Sequence, residues 1–187
     1  MADFVVLSIE TTGVEMDDEI ISLMLMRPDK SVIYQSYLAP RHHSSVALST
    51  QYNGITDDML LGKPVFGPKT GQCLLNVVKD GVILLWGNKF NVTMFGYNGI
   101  VLPKTVDVQK LIAPVIGLPL PSDPGNRFKL PTWQDAANAF GLTVPVLPEE
   151  KGRFIIDAYR QAYARVGKDK FAEFCRLAYW DPSREIR

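Results

Sequence analysis

Glu10 is the side chain best placed to do chemistry. Phe4 to Ile9 is a short apolar, β-branched run closed by Thr11-Thr12-Gly13, which predicts a buried strand with a sharp exit. Side chains alternate along a strand, so Val6, Ser8 and Glu10 share one face and Leu7 and Ile9 the other. A carboxylate therefore projects from the carboxyl end of a core strand, the end at which open α/β sheets bind ligands. Taken alone, a solvated residue at a strand end explains it more simply. Two further places put polar groups at the ends of core elements: Asn88 to Asn91, after the run Val82 to Trp86, and Asp157 on an amphipathic helix. Asp157 also has a structural reading, because Arg153 at i−4 and Arg160 at i+3 can pair with it on the helix face. Asp107, at the end of a short strand, reads as a recruited ligand or, more simply, as the anchor of the following helix.

The elements that must position these groups can be read in order. Ile20 to Met26 is a nearly unbroken apolar run, Arg27-Pro28-Asp29-Lys30 has turn chemistry, and Ser31 to Leu38 completes a hairpin. His42 and His43 have no carboxylate or thiol at ligand spacing and read as a surface loop. Thr56 is placed to cap a short helix beginning at Asp57-Asp58. Leu74 to Val78 belongs to a helix ending near Gly81, and Val82 to Trp86 is a fourth strand. Gly87-Asn88 opens a helix through Met94, Lys104 to Val108 is a fifth strand, and Gln109 to Ala113 a short helix. Leu118 to Lys129, rich in Pro and Gly, reads as an irregular loop. Thr132 followed three residues later by Asp135 opens a helix that stops at Gly141. Lys151 to Val166 carries Ile155, Ala158, Tyr159, Ala162 and Val166 on one stripe, and a last helix runs from Lys170 to Tyr179. Three hairpin-connected strands followed by alternating helix and strand predict an α/β domain, a five-stranded mixed sheet with helices on both faces.

With 187 residues, 47% hydrophobic and 21% charged, the chain is expected to form a single domain, residues 1–187, with 167–187 a basic C-terminal helical extension. Net charge is zero, but residues 151–187 hold nine Lys/Arg against five Asp/Glu. Such a bias usually marks a solvated helix face, and contact with phosphates is the alternative. Cys73 and Cys175 lie far apart without metal-binding spacing, so both are expected to be reduced, buried thiols and no structural zinc is implied. The start lacks a basic leader, and no apolar run approaches the ~18 residues that span a bilayer, so a cytoplasmic location and no membrane association are expected.

Several of these pieces occur together: Glu10-Thr11-Thr12-Gly13 at a strand end, Tyr52-Asn53-Gly54-Ile55-Thr56, Gly87-Asn88-Lys89-Phe90-Asn91, Val106-Asp107, the helix ending Phe140-Gly141-Leu142, and a helix with Asp157. In this order they resemble the DnaQ-like branch of the DEDD 3′–5′ exonucleases, from Val5 to about Val166. The resemblance implies a ribonuclease H-like fold and a reaction in which two divalent ions about 3.5–4 Å apart activate a water and stabilise the leaving oxygen of a phosphodiester. Such enzymes supply an Asp and a Glu two residues apart on strand one, one Asp in each of the next two motifs, and a His five residues before the last Asp as general base. Here Ser8 stands at the first Asp position, Glu10 is intact, Asn91 replaces the second-motif Asp, and Asp157 is kept. Gly152 stands where the His belongs, and Arg153 where a sister branch has Tyr. By resemblance, Glu10 and Asp157 are the remaining catalytic positions and the ligands of at most one weakly held Mg²⁺ or Mn²⁺. Thr11, Thr12, Asn88 and Phe90 are the implied nucleic-acid-binding positions. Trp86, Phe90 and Phe95 are candidates to stack on bases, with core packing the alternative.

Two negative charges against the four positive charges of two dications are too few, and the proton acceptor is missing. The expected function is a degenerate 3′–5′ exonuclease domain that binds single-stranded nucleic-acid 3′ ends, or a protein partner, without cutting. The alternative is an active exonuclease on single-stranded DNA or RNA, working with a reduced metal site of Ser8, Glu10, Asn91 and Asp157.

Overall fold

A computed structural model describes residues 4–15, 17–78, 81–120 and 123–182. Its centre is β1 (Phe4–Thr11), flanked by β2 (Ile20–Met26) and then β3 (Val32–Tyr37), both pairings antiparallel. The chain crosses through α1 (Ala47–Asn53), α2 (Asp57–Leu60) and α3 (Pro68–Val78) to β4 (Val82–Leu85), which lies parallel to β1 on its other side. After α4 (Asn88–Tyr97), β5 (Thr105–Asp107) adds parallel to β4. Then come α5 (Val108–Ile116), a separate ribbon of β6 (Pro119–Leu120) and β7 (Asp123–Phe128), α6 (Trp133–Phe140), α7 (Pro148–Ala178) and β8 (Tyr179–Trp180). β2 is buried along its whole length, as its continuous apolar run requires. The expected alternation on β1 also holds: Val6 packs with Met24 and Met26 under α5, α6 and α7, while Leu7 packs with Leu23 and Leu25 under α3 and α4.

Among the described residues the main sheet has six strands rather than the expected five, in the order β3-β2-β1-β4-β5-β8. The sixth arises because the chain straightens after α7 and covers the outer edge of β5, which would otherwise expose unpaired backbone groups. Leu118 to Lys129 is not an irregular loop throughout, since it contains the β6–β7 ribbon. The last two predicted helices run together as α7, broken only at Gly167, whose φ of +75° is a conformation that glycine adopts without strain. Beyond that break Phe171 and Ala178 enter the same core as β1 and α5; residues 183–187 lie outside the described residues. Cys73 is exposed on α3 and Cys175 half-buried, so the expectation of two buried thiols is corrected. Among the described residues, no helix is long and apolar enough to cross a membrane.

Candidate functional site

The carboxyl end of β1 is fixed by two sequence motifs that fold into one clamp. Thr11 Oγ1 donates to the Gly13 carbonyl at 2.5 Å, and Thr12 Oγ1 donates to Asp18 Oδ1 at 2.6 Å while accepting from the Glu19 N–H at 3.0 Å. A side chain at Gly13 has no room, because a Cβ there would lie 2.4 Å from Asp18 Oδ2. From the second motif, Asn53 reaches across with Nδ2 to the Thr11 carbonyl at 3.4 Å, while its Oδ1 accepts from the Ile55 N–H. The His42-His43 loop is tied to the same turn: both backbone N–H groups donate to Glu19, and the His43 ring lies 3.1 Å from Glu19 Oε2. Glu10 pairs in register with Ser22, and a bulge follows at once in the β1–β2 ladder. Bulges of this kind re-aim side chains beside sites.

A cavity of about 270 Å³ opens at this strand end. Ser8, Glu10, Thr11, Phe90 and Asn91 line it, together with Tyr52, Trp86 and Trp133. Trp86 and Trp133 stack at 4.1 Å and 14°, with Phe154 edge-on to both, so this wall of the cavity is a fixed aromatic surface.

The decisive side chain is one that the sequence reading passed over. Lys151 and Ile155, one turn apart on α7, face the cavity, and Lys151 Nζ lies 2.8 Å from Glu10 Oε2. Both residues are buried, Glu10 at 7% and Lys151 at 9% exposure. Lys151 also reaches the Tyr52 carbonyl at 3.4 Å. Burial pushes the Glu10 carboxyl up to about 7, against the opposing charge and hydrogen bond of Lys151. Glu10 Oε1 and, on its register partner, Ser22 Oγ are buried without hydrogen-bond partners. Lys151 extends the apolar stripe of α7 by one turn before Ile155, and that is the signal that could have exposed it: a charge in line with a buried stripe needs a buried partner.

The predicted site residues separate into two groups. Ser8, Glu10, Thr11, Phe90 and Asn91 meet at the cavity. Asn91 Nδ2 donates to the Trp86 and Gly87 carbonyls, each at 2.9 Å, so the amide is built into the start of α4. Thr12 is absorbed in the turn, and Asn88 Oδ1 accepts from Thr105 Oγ1 at 2.7 Å in the core. Asp107 anchors helices: its carboxylate accepts from the N–H groups of Gly87, Asn88, Gln109 and Lys110. Phe95 is fully buried against Phe66. Asp157 is not brought to Glu10. It pairs with Lys30 at 2.7 Å beside the β2–β3 turn, while Arg153 pairs with Glu149 and Arg160 donates to the Pro28 carbonyl. Because α7 runs back along β1, the six residues from Lys151 carry Asp157 roughly 9 Å toward the other end of the strand. Gly152 is pressed on β2, where a Cβ would lie 2.4 Å from Met24 Cε and an imidazole has no space.

Tested as a metal site, the donor set does not fit. Among the described residues Glu10 is the one carboxylate lining the cavity, its charge is matched by an ammonium at contact distance, and Ser8 and Asn91 bring none. Among the described residues no three His, Cys, Asp or Glu side chains gather to hold an ion.

Neither a family model nor a curated protein matches the chain. Solved structures do. E. coli exonuclease I in complex with a dA16 oligonucleotide aligns at a TM-score of 0.64 and 12% identity, over 92% of this chain and 43% of that one. The zinc-ion-bound form of the E. coli exonuclease I complex with single-stranded DNA aligns at 0.65 and 13%, over 95% and 42%. Exonuclease X in complex with 5′ overhanging duplex DNA aligns at 0.58 and 12%, over 92% and 99%. The chain thus spans about two fifths of exonuclease I and nearly all of exonuclease X. At these identities the likeness concerns the backbone: the chain has the fold of exonucleases I and X, the DnaQ-like fold that its motifs implied.

Proposed function

We propose that this chain is a degenerate DnaQ-like exonuclease domain that binds a single-stranded nucleic-acid end and does not cut it. The observation that carries the reading is the Glu10–Lys151 pair: the carboxylate that a catalytic cation would need is already neutralised by the protein's own ammonium. Cleavage with paired cations also needs carboxylates that Ser8 and Asn91 do not supply and a proton acceptor that Gly152 cannot be. What remains is an aromatic cavity at the strand ends, suited to stacking on bases. That exonucleases I and X of this fold were solved on single-stranded and overhanging DNA supports a nucleic-acid ligand. A reducing, cytoplasmic setting fits two unpaired cysteines. A second reading, a protein partner, is favoured by the exposed apolar side chains of Val14 and Tyr52 at the cavity mouth.

The test is an end-labelled single strand, DNA and RNA, incubated with protein and Mg²⁺ or Mn²⁺. Retention by the protein at unchanged length is expected. Shortening that disappears in Glu10→Ala overturns the reading. Salt-dependent binding separates a nucleic-acid ligand from a protein partner, since phosphate contacts release counterions.

A further inference from the structure

The Glu10–Lys151 pair leaves two hydrogen-bonding positions unspent. An ammonium has three N–H donors, and a carboxylate oxygen accepts more than one bond. Lys151 uses one donor on Glu10 Oε2 and directs another weakly at the Tyr52 carbonyl; among the described residues the third has no acceptor. Glu10 Oε1 is buried and receives no donor. With Glu10 ionised the pair is neutral in sum, yet it brings a donor and an acceptor to the lining of an aromatic cavity.

Three kinds of ligand can be weighed against this chemistry. A divalent cation would have to displace the ammonium and then find one carboxylate. A phosphodiester meets no net positive charge, and its oxygens would face the unpaired Oε1. A nucleobase is uncharged and flat, and it carries donor and acceptor groups side by side on its pairing edge. We propose that the cavity is a metal-independent nucleobase site, in which the edge of a terminal base takes the free N–H of Lys151 and, as the buried carboxylate turns toward it, the unpaired Oε1 of Glu10, while its face lies on the aromatic wall. This rests on the single-strand reading above and adds which part of the strand enters and that no metal is needed.

The test uses tryptophan fluorescence and anisotropy with two short single strands, identical except that one ends in an abasic 3′ residue, each in excess EDTA and in excess Mg²⁺. The strand with a terminal base is expected to bind about tenfold more tightly, or more, than the abasic one, and equally in both buffers. Lys151→Met and Glu10→Gln should each bring the two strands to similar affinity. Phe90→Ala, at a half-buried position, should reduce the preference with the fold intact by circular dichroism. Equal affinity for the two strands in the unaltered protein, or binding that appears only with Mg²⁺, overturns this inference and leaves the single-strand reading standing. Failure to bind any oligonucleotide removes both.

Discussion

Replacing Lys151 with methionine removes the ammonium while keeping an unbranched side chain of comparable reach. Glu10 already titrates at about 7 against an ordinary 4.5, because burial disfavours its anion more than Lys151 favours it. A carboxyl raised in the fold lowers stability as pH climbs above its unfolded value, and the loss stops growing at its folded value. For the unaltered protein that contribution is roughly 3 kcal/mol, absent below about pH 4.5 and complete above about pH 7. Without Lys151 the folded value rises further, so the loss continues at about 1.4 kcal/mol per pH unit above 7. The variant should therefore match or exceed the unaltered protein near pH 5, where Glu10 is neutral in both and no ammonium need be buried. It should fall behind by up to ~3 kcal/mol between about pH 7 and pH 9. Urea unfolding across that range, with m-values compared, measures the gap directly. A gap that stays constant with pH would refute the argument that Lys151 is what lets Glu10 ionise.

The remaining expectations concern the residues around the pair. Asn91→Asp should cost about 2–3 kcal/mol, since two donated bonds become a carboxylate against two carbonyls, and should confer no nuclease activity; melting and a labelled-strand assay check both parts. Gly152→His should cost about 3 kcal/mol, as overpacking against Met24 outweighs the few tenths returned by helix propensity; chemical denaturation measures it. Asp107→Ala should cost about 3 kcal/mol by freeing four backbone N–H groups at the starts of α4 and α5, and hydrogen exchange should quicken at both helix starts.

Much of this architecture was legible in the chain because its signals are local. The period of two on β1 placed Ser8 and Glu10 on one face, and the capping box of Thr132 and Asp135 opens α6 as read, with Gly141 closing it at φ +68°. Thr56 stands at the start of α2, although its hydroxyl makes no capping bond there. The sixth strand was not legible, because Tyr179 and Trp180 continue an apolar pattern that serves a helix equally well and only the open edge of β5 decides between them. Nor was the β6–β7 ribbon, whose Pro and Gly content speaks for a loop. At the site, motif order named Asp157, but the phase of the helix puts Lys151 and Ile155 on the cavity; residue 157 lies about 200° round the helix from 155. Lys151 escaped notice because its partner is 141 residues away and lysine is ordinarily a surface residue.

The central claim is that an ammonium occupies the counter-charge role at Glu10, and anomalous diffraction from crystals soaked in Mn²⁺ tests it most directly. The account predicts Lys151 Nζ still seated on the Glu10 carboxylate with no manganese peak beside it. Two ordered manganese ions bound to Glu10, with the lysine swung away, would contradict it.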